Sequence, residues 1–320
     1  MVELDKTSNH MIYNKSDLKG IHIELTDKCN AACPLCMRNP GDLGLSPCVK
    51  NIELSLEDIK RLIPEEFCKT LNYVYFCGNF GDSLLNTELL DICDYFRYNN
   101  VVTQLHTNGG ARSEKFWKEL AVVLDKIVFA VDGLKDTNHI YRKKVNWDIL
   151  FRNMNIWSQS GKPARWTFLL FEHNKHQVEE AKNIAENLGF TFETKYSRTL
   201  PVNHGMGIIK PDPDFDSDYP WEIPWDSTTE PDNWDFDTMA QCKVKKQAYL
   251  SARGEWFPCC WVSSGVYHHR ERKPKNYYHF TDKFDFTSFF SDTTVQDFIV
   301  DSWQCGDPLR PCKNACNRVL

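Results

Sequence analysis

Six short apolar runs of β type lie at residues 21–25, 73–76, 101–106, 127–131, 166–171 and 190–193, and stretches of helical spacing separate most of them. No other feature limits the fold as strongly. Strands that alternate with helices favour a parallel sheet with right-handed crossovers, because each helix carries the chain back to start the next strand in the same direction. Helix boundaries support the pattern. Ser55-Leu56-Glu57-Asp58 reads as a helix start with acids in its first turn. Leu85, Leu89, Ile92 and Phe96 recur at three- and four-residue steps through residues 84–98, and a helix opening at Asn174 and Gln177 should run to Leu188 and stop at Gly189. Periodicity does not distinguish an open sheet from a barrel.

The chain has 320 residues, 42% of them apolar, enough for one large α/β domain and a smaller one. A net charge of -6 does not suit a nucleic-acid binder. The polar N-terminus has no apolar signal segment, and no apolar run reaches the ~18 residues of a membrane span. A cytoplasmic protein is expected, and that sets the reading of its thirteen cysteines as metal-binding or reactive rather than disulfide-bonded. Three fall within residues 29–36 and six within 242–316. Cys48, Cys68, Cys77 and Cys93 are scattered and read as small buried hydrophobes.

The first group, Cys29-Asn30-Ala31-Ala32-Cys33-Pro34-Leu35-Cys36, has C-x3-C-x2-C spacing and follows the first expected strand, where parallel α/β folds build their sites. Electron-transfer cubanes use four thiolates, so three leave one iron open. A zinc site formed with Cys48 is the alternative. The motif resembles the signature of the radical S-adenosylmethionine (SAM) superfamily. Gly81-Asp82-Ser83-Leu84-Leu85 resembles that family's segment after the second strand, His106-Thr107-Asn108-Gly109-Gly110 its segment after the third, and Ala130-Val131-Asp132-Gly133 with Tyr141-Arg142 its segment after the fourth. Leu35, Asp82, Ser83 and Ala130 depart from the usual residues.

The resemblance implies an α/β fold, a partial (β/α)6 TIM-like barrel, with a radical SAM core over residues 18–200 behind an N-terminal extension, 1–17. It implies a 4Fe-4S cluster on Cys29, Cys33 and Cys36 whose open iron takes the amino and carboxylate groups of SAM. Gly81, Asp82, Thr107, Asn108, Asp132 and Arg142 are the implied cofactor-binding residues. The implied chemistry starts with one electron from a donor such as flavodoxin or ferredoxin, cleaves SAM to a 5′-deoxyadenosyl radical and abstracts hydrogen from a substrate.

Residues 201–240 carry six prolines and eight aspartates and read as a linker or, alternatively, a lid over the substrate. From 241 to 320 the chain reads as a small cysteine-rich metal-cluster domain short of regular pattern. Cys242, Gly254 and Cys259 are spaced C-x11-G-x4-C, which resembles the opening of SPASM and twitch extensions. That resemblance implies one auxiliary 4Fe-4S cluster with ligands among Cys242, Cys259, Cys305, Cys312 and Cys316. Structural zinc is the alternative, and Cys260 is either ligand or spare. The basic stretch 268–275 reads as an exposed loop. A peptide or protein is the favoured substrate, with a carbohydrate-like or nucleotide small molecule second. A non-catalytic iron–sulfur or zinc scaffold is the competing class.

Overall fold

The structure, a computed structural model, describes residues 12–39, 44–196, 240–272, 285–291, 294–304, 312 and 316. All six expected strands form: β1 (Gly20–Ile23), β2 (Tyr73–Phe76), β3 (Val102–Thr107), β4 (Lys126–Ala130), β5 (Ala164–Leu170) and β6 (Thr191–Tyr196). Two more, β7 (Gln247–Leu250) and β8 (Trp256–Phe257), complete one sheet of order β6-β5-β4-β3-β2-β1-β7-β8. Every pairing is parallel except β7 with β8. Because strands 1 to 6 are added in sequence order on one side, the sheet winds as a barrel does, yet β6 and β8 remain its edges. This is the open, partial TIM-like barrel expected from the sequence.

The helices are α1 (Leu56–Leu62), α2 (Glu65–Cys68), α3 (Leu89–Tyr98), α4 (Glu114–Val123), α5 (Asn138–Tyr141), α6 (Trp147–Gln159), α7 (Val178–Asn187), α8 (Gln241–Lys245), α9 (Cys260–Arg272) and α10 (Thr294–Gln304). Alternate strand residues turn toward them. Phe76 meets Phe96 of α3 at 6.1 Å between ring centroids, and Phe129 stacks on Trp117 of α4 at 5.7 Å. Burying such rings contributes the bulk of the core's stability, about 25 cal/mol for each Å² removed from water. The opposite face of the strands carries His22, Tyr75, Gln104 and His106, and it lines the concave side. Among the described residues no helix is long and apolar enough to cross a membrane.

Local differences from the sequence reading have physical causes. Ser55 caps α1 in a reciprocal box with Asp58, and Gly189 follows α7 at φ +74°, both as expected. The stretch 84–98 is not one helix. A 3-10 turn, Ser83–Leu85, ends at Asn86, whose buried amide donates to the carbonyls of Leu25 (3.1 Å) and Leu54 (2.8 Å) and accepts from Glu88 N (2.9 Å). Those bonds hold the backbone out of helical geometry until α3 begins. The segment after residue 241 is also more regular than expected. β7 joins the sheet beside β1, and α9 covers residues 268–272, where an exposed loop was anticipated. The rest of the basic stretch, 273–275, and the acidic stretch except Ala240 lie outside the described residues.

Candidate active site

The loop after β1 holds Cys33 buried and Cys29 and Cys36 half-buried. It is tied down on three sides. Ala32 N donates to Lys143 O (2.9 Å), Asn30 Nδ2 to Gly110 O (3.1 Å), and the buried Arg38 guanidinium to the carbonyls of Asp27 and Phe80. Each thiol receives an N–H. Cys29 accepts from Ala31 N (3.3 Å) and Asn108 Nδ2 (3.9 Å), Cys33 from Arg142 Nη1 (3.8 Å) and Cys36 from Arg38 N (3.4 Å). Burial nevertheless pushes the thiols up, Cys29 to about 12 and Cys33 to about 11, with Cys36 raised for the same reason. A metal centre deprotonates such groups outright, and the N–H donors then stabilise the thiolates.

Of the sequence-predicted cofactor residues, Asn108 and Arg142 reach the loop's cysteines directly, Asp82 and Asp132 hold those two side chains, and Thr107 bonds Asp82. Gly81 packs so tightly that a Cβ there would lie 1.8 Å from the Thr26 carbonyl oxygen. Asp82 Oδ2 accepts Thr107 Oγ1 (2.9 Å), Asn108 N (2.9 Å) and Asn108 Nδ2 (2.7 Å), while Oδ1 accepts Leu84 N (3.0 Å). The carboxylate is therefore a brace between the ends of β2 and β3, with free acceptor capacity chiefly at Oδ1. Asp132 is fully buried and raised by that burial, against which Arg142 Nε at 2.5 Å and Leu169 N at 2.7 Å favour its charge. Burial works against the Arg142 charge as well, but Asp132 outweighs it and keeps the guanidinium firmly protonated. Arg142 thus links the buried acid to Cys33.

Two polar residues of β1 and its end escaped the sequence reading. Glu24 Oε1 accepts the amides of Phe80 (2.7 Å) and Gly81 (3.1 Å), and Oε2 accepts the Tyr249 hydroxyl (2.7 Å). Burial lifts it to about 6 despite these donors. His22 donates from Nε2 to Cys77 O (2.5 Å), stacks on Tyr75 at 4.3 Å, and is lowered by burial to about 3. The signal for both was an acid and an imidazole two apart inside an apolar run, the mark of a polar concave face. Arg38, two residues past Cys36, had no comparable signal.

The second cysteine group forms apart from the first. Cys242, Cys259 and Cys316 lie close enough that the charge of one raises another, and burial is the main cause of the rise in each, with Cys259 at about 11. Buried Tyr13 sits beside Cys242 and Cys259 and donates to Gln247 O (2.9 Å). Cys312 is buried, and Cys305 lies outside the described residues. Cys260 faces the other way, toward Tyr75 and Tyr249, and its carbonyl accepts Asn79 Nδ2 (2.8 Å). Among the described residues no three His, Cys, Asp or Glu side chains converge on a position for a single metal ion. A cubane does not require such convergence, because each thiolate binds its own iron.

The family model of the radical SAM superfamily matches residues 23–187, just over half of the chain. The chain belongs to the radical SAM superfamily. Among curated proteins, the mycofactocin maturase MftC of Mycolicibacterium smegmatis is 25% identical over 189 residues, 58% of this chain and 45% of that one. The tungsten-containing aldehyde ferredoxin oxidoreductase cofactor-modifying protein of Pyrococcus furiosus is 23% identical over 124 residues, 38% of this chain and 33% of that one. This chain therefore spans less than half the length of either relative. Streptococcus suis SuiB superposes with a TM-score of 0.59 at 14% identity, over 89% of this chain and 68% of that one. Its SAM-bound structure gives 0.56 over 93% and 72%. These likenesses establish the fold. Radical SAM enzymes carry a 4Fe-4S cluster and SAM, and the donor set here fits the cluster: three soft thiols on one loop, each with an N–H aimed at its sulfur.

Proposed function

We propose that this radical SAM enzyme modifies a peptide or protein, with Cys29, Cys33 and Cys36 holding the cluster and Gly81, Asp82, Thr107, Asn108, Asp132 and Arg142 forming the SAM side of the site. The observation that carries the site is the convergence of three chain segments on the cysteine loop through Asp82, Asn108 and Arg142. The peptide class is supported by MftC, named a maturase, and by SuiB, whose structure is also known bound to its precursor peptide SuiA. When bound, the cluster and SAM supply the reductive cleavage that gives a hydrogen-abstracting 5′-deoxyadenosyl radical.

The protein's own part is placement. Asp82 fixes Asn108 against Cys29, Glu24 pins the Phe80–Gly81 backbone, and Arg142 donates to Cys33. His22 and His106, lowered by burial to about 3 and about 4, remain neutral at pH 7, so these two imidazoles of the concave wall are not imidazolium donors of a proton. Cys242, Cys259 and Cys316, with Cys312 or Cys305, are the proposed ligands of one auxiliary 4Fe-4S cluster, and a flavodoxin or ferredoxin the proposed donor. A small-molecule substrate is the second reading, favoured by the name of the Pyrococcus relative.

The test uses short peptides encoded beside the gene, synthesised with deuterated side chains. With anaerobically reconstituted enzyme, SAM and dithionite, deuterium should appear in 5′-deoxyadenosine and the peptide mass should change. Rapid SAM cleavage that leaves every peptide unlabelled and unchanged in mass would transfer the weight to a small molecule.

A further inference from the structure

Among the described residues the concave face carries a charge opposite to that of the whole chain. Strand register puts Tyr75, Gln104 and Lys126 side by side, then His106, Val128, Arg165 and Thr191 in the next row, with Glu193 and Lys195 beyond on β6. Lys126, Arg165 and Lys195 are all solvent-accessible there. One carboxylate, Glu193, is shared between Arg165 (2.9 Å) and Lys195 (3.5 Å). Glu24, the other acid on this face, is enclosed by Tyr249 and two backbone amides. His106 is neutral. Among the described residues three cations thus face one available anion, on a protein whose net charge is -6.

Beneath the histidines the same face holds a cavity of about 280 Å³ lined by Asn72, Tyr73, Tyr75, Val102, Gln104 and Lys126. It is a built pocket. Gln247 accepts the Tyr73 hydroxyl at 3.1 Å and donates to that of Tyr75 at 2.9 Å, which fixes both phenols. Its size suits one or two residues of an extended chain rather than a folded partner. Its wall supplies amide donors and one ammonium.

We propose that this concave face, with the pocket at its floor, binds an acidic segment of a peptide substrate through Lys126 and Lys195. The proposal rests on the peptide reading given above and deepens it. A neutral segment would shield these cations from water without giving them a partner, whereas Asp or Glu side chains supply charge-assisted hydrogen bonds. A nucleic acid fits less well. Tyr75 already has His22 at 4.3 Å and His106 at 5.5 Å across its ring, so it offers no open stacking platform, and the chain's overall charge repels a long polyanion.

The test is fluorescence anisotropy of the full chain with a labelled glutamate–glycine decapeptide, its glutamine–glycine counterpart and a decauridylate, at low ionic strength. Partly exposed pairs contribute roughly two- to fivefold in affinity each. The glutamate peptide should therefore bind at least about fivefold more tightly than the glutamine peptide. In Lys126→Gln/Lys195→Gln that preference should fall to about twofold or less, while Lys126→Arg/Lys195→Arg retains it. Overall repulsion alone would give the opposite sign. Equal binding of the two peptides, an undiminished preference in the glutamine variant, or tighter binding of the decauridylate would each overturn the proposal. Deuterium transfer from the peptides encoded beside the gene to 5′-deoxyadenosine is measured alongside: if it is present, such a result removes the acidic preference alone, and its absence with SAM still cleaved removes the peptide reading.

Discussion

The Asp132–Arg142 pair should be the most sensitive joint between fold and site. Asp132 is fully buried and the Arg142 side chain is 17% exposed, with 2.5 Å between the charged groups. Removing one partner of a buried pair leaves an uncompensated charge and costs about 3–5 kcal/mol. Arg142→Ala leaves the Asp132 carboxylate with Leu169 N as its remaining donor among the described residues. At about 2–4 °C per kcal/mol for a domain of this size, the melting temperature should fall by roughly 6–20 °C. Asp132→Asn/Arg142→Met removes both charges and should recover most of the loss, with a coupling of at least about 2 kcal/mol across the double-mutant cycle. Anaerobic thermal denaturation of the metal-free chain followed by circular dichroism provides the readout. The sign with pH is also fixed. Burial raises Asp132 in the folded state, so the deficit of Arg142→Ala should be smallest in acid, where the carboxyl is protonated, and grow as pH rises and the carboxyl ionises. A melting temperature within about a degree of wild type, or a coupling below about 0.5 kcal/mol, would refute the reasoning.

Gly81→Ala should lower iron loading from about eight to about four per chain while far-ultraviolet circular dichroism keeps the αβ signature, because the added Cβ would lie 1.8 Å from the Thr26 carbonyl oxygen on the strand end that leads into the cysteine loop. Normal loading would show that the loop tolerates a shift there. Glu24, raised to about 6, contributes stability that is complete below its unfolded value near 4.5 and lost as pH rises through 6, about 2 kcal/mol in all. Glu24→Gln should flatten that part of a pH–stability profile from urea titrations, and an unchanged slope between pH 4.5 and 6 would contradict the assignment. His22, lowered to about 3, has the opposite sign: stability is complete above about pH 6.5 and lost as pH falls toward 3. His22→Gln should therefore reduce acid sensitivity, and an unaltered acid transition would count against a neutral buried imidazole.

The sheet was legible because its strands are apolar runs separated by stretches of helical spacing, and the cysteine loop because C-x3-C-x2-C places three thiols within eight residues. The converging segments were legible too, but not what their side chains do. Asp82 was expected to face the cofactor. Its carboxylate proves to be largely taken by Thr107 and Asn108, contacts made across 25 and 26 residues of sequence that no local pattern encodes. Asn86 broke an expected helix through two carbonyls contributed by other segments. β7 is four residues long and gains its partner, β1, from the opposite end of the chain, so periodicity carried no sign of it. The cationic concave face is likewise invisible in composition, since Lys126, Arg165 and Lys195 come to share one face of the sheet only through strand register.

The central claim is that Cys29, Cys33 and Cys36 hold the cluster that cleaves SAM. The direct measurement is anaerobic reconstitution of the wild type and of Cys29→Ala/Cys33→Ala/Cys36→Ala with iron and sulfide, followed by iron counting and by 5′-deoxyadenosine assay with SAM and dithionite. The expected result is about eight irons per wild-type chain, about four per variant chain, and product from the wild type alone. Equal iron in the two proteins, or 5′-deoxyadenosine made by the variant, would contradict the assignment.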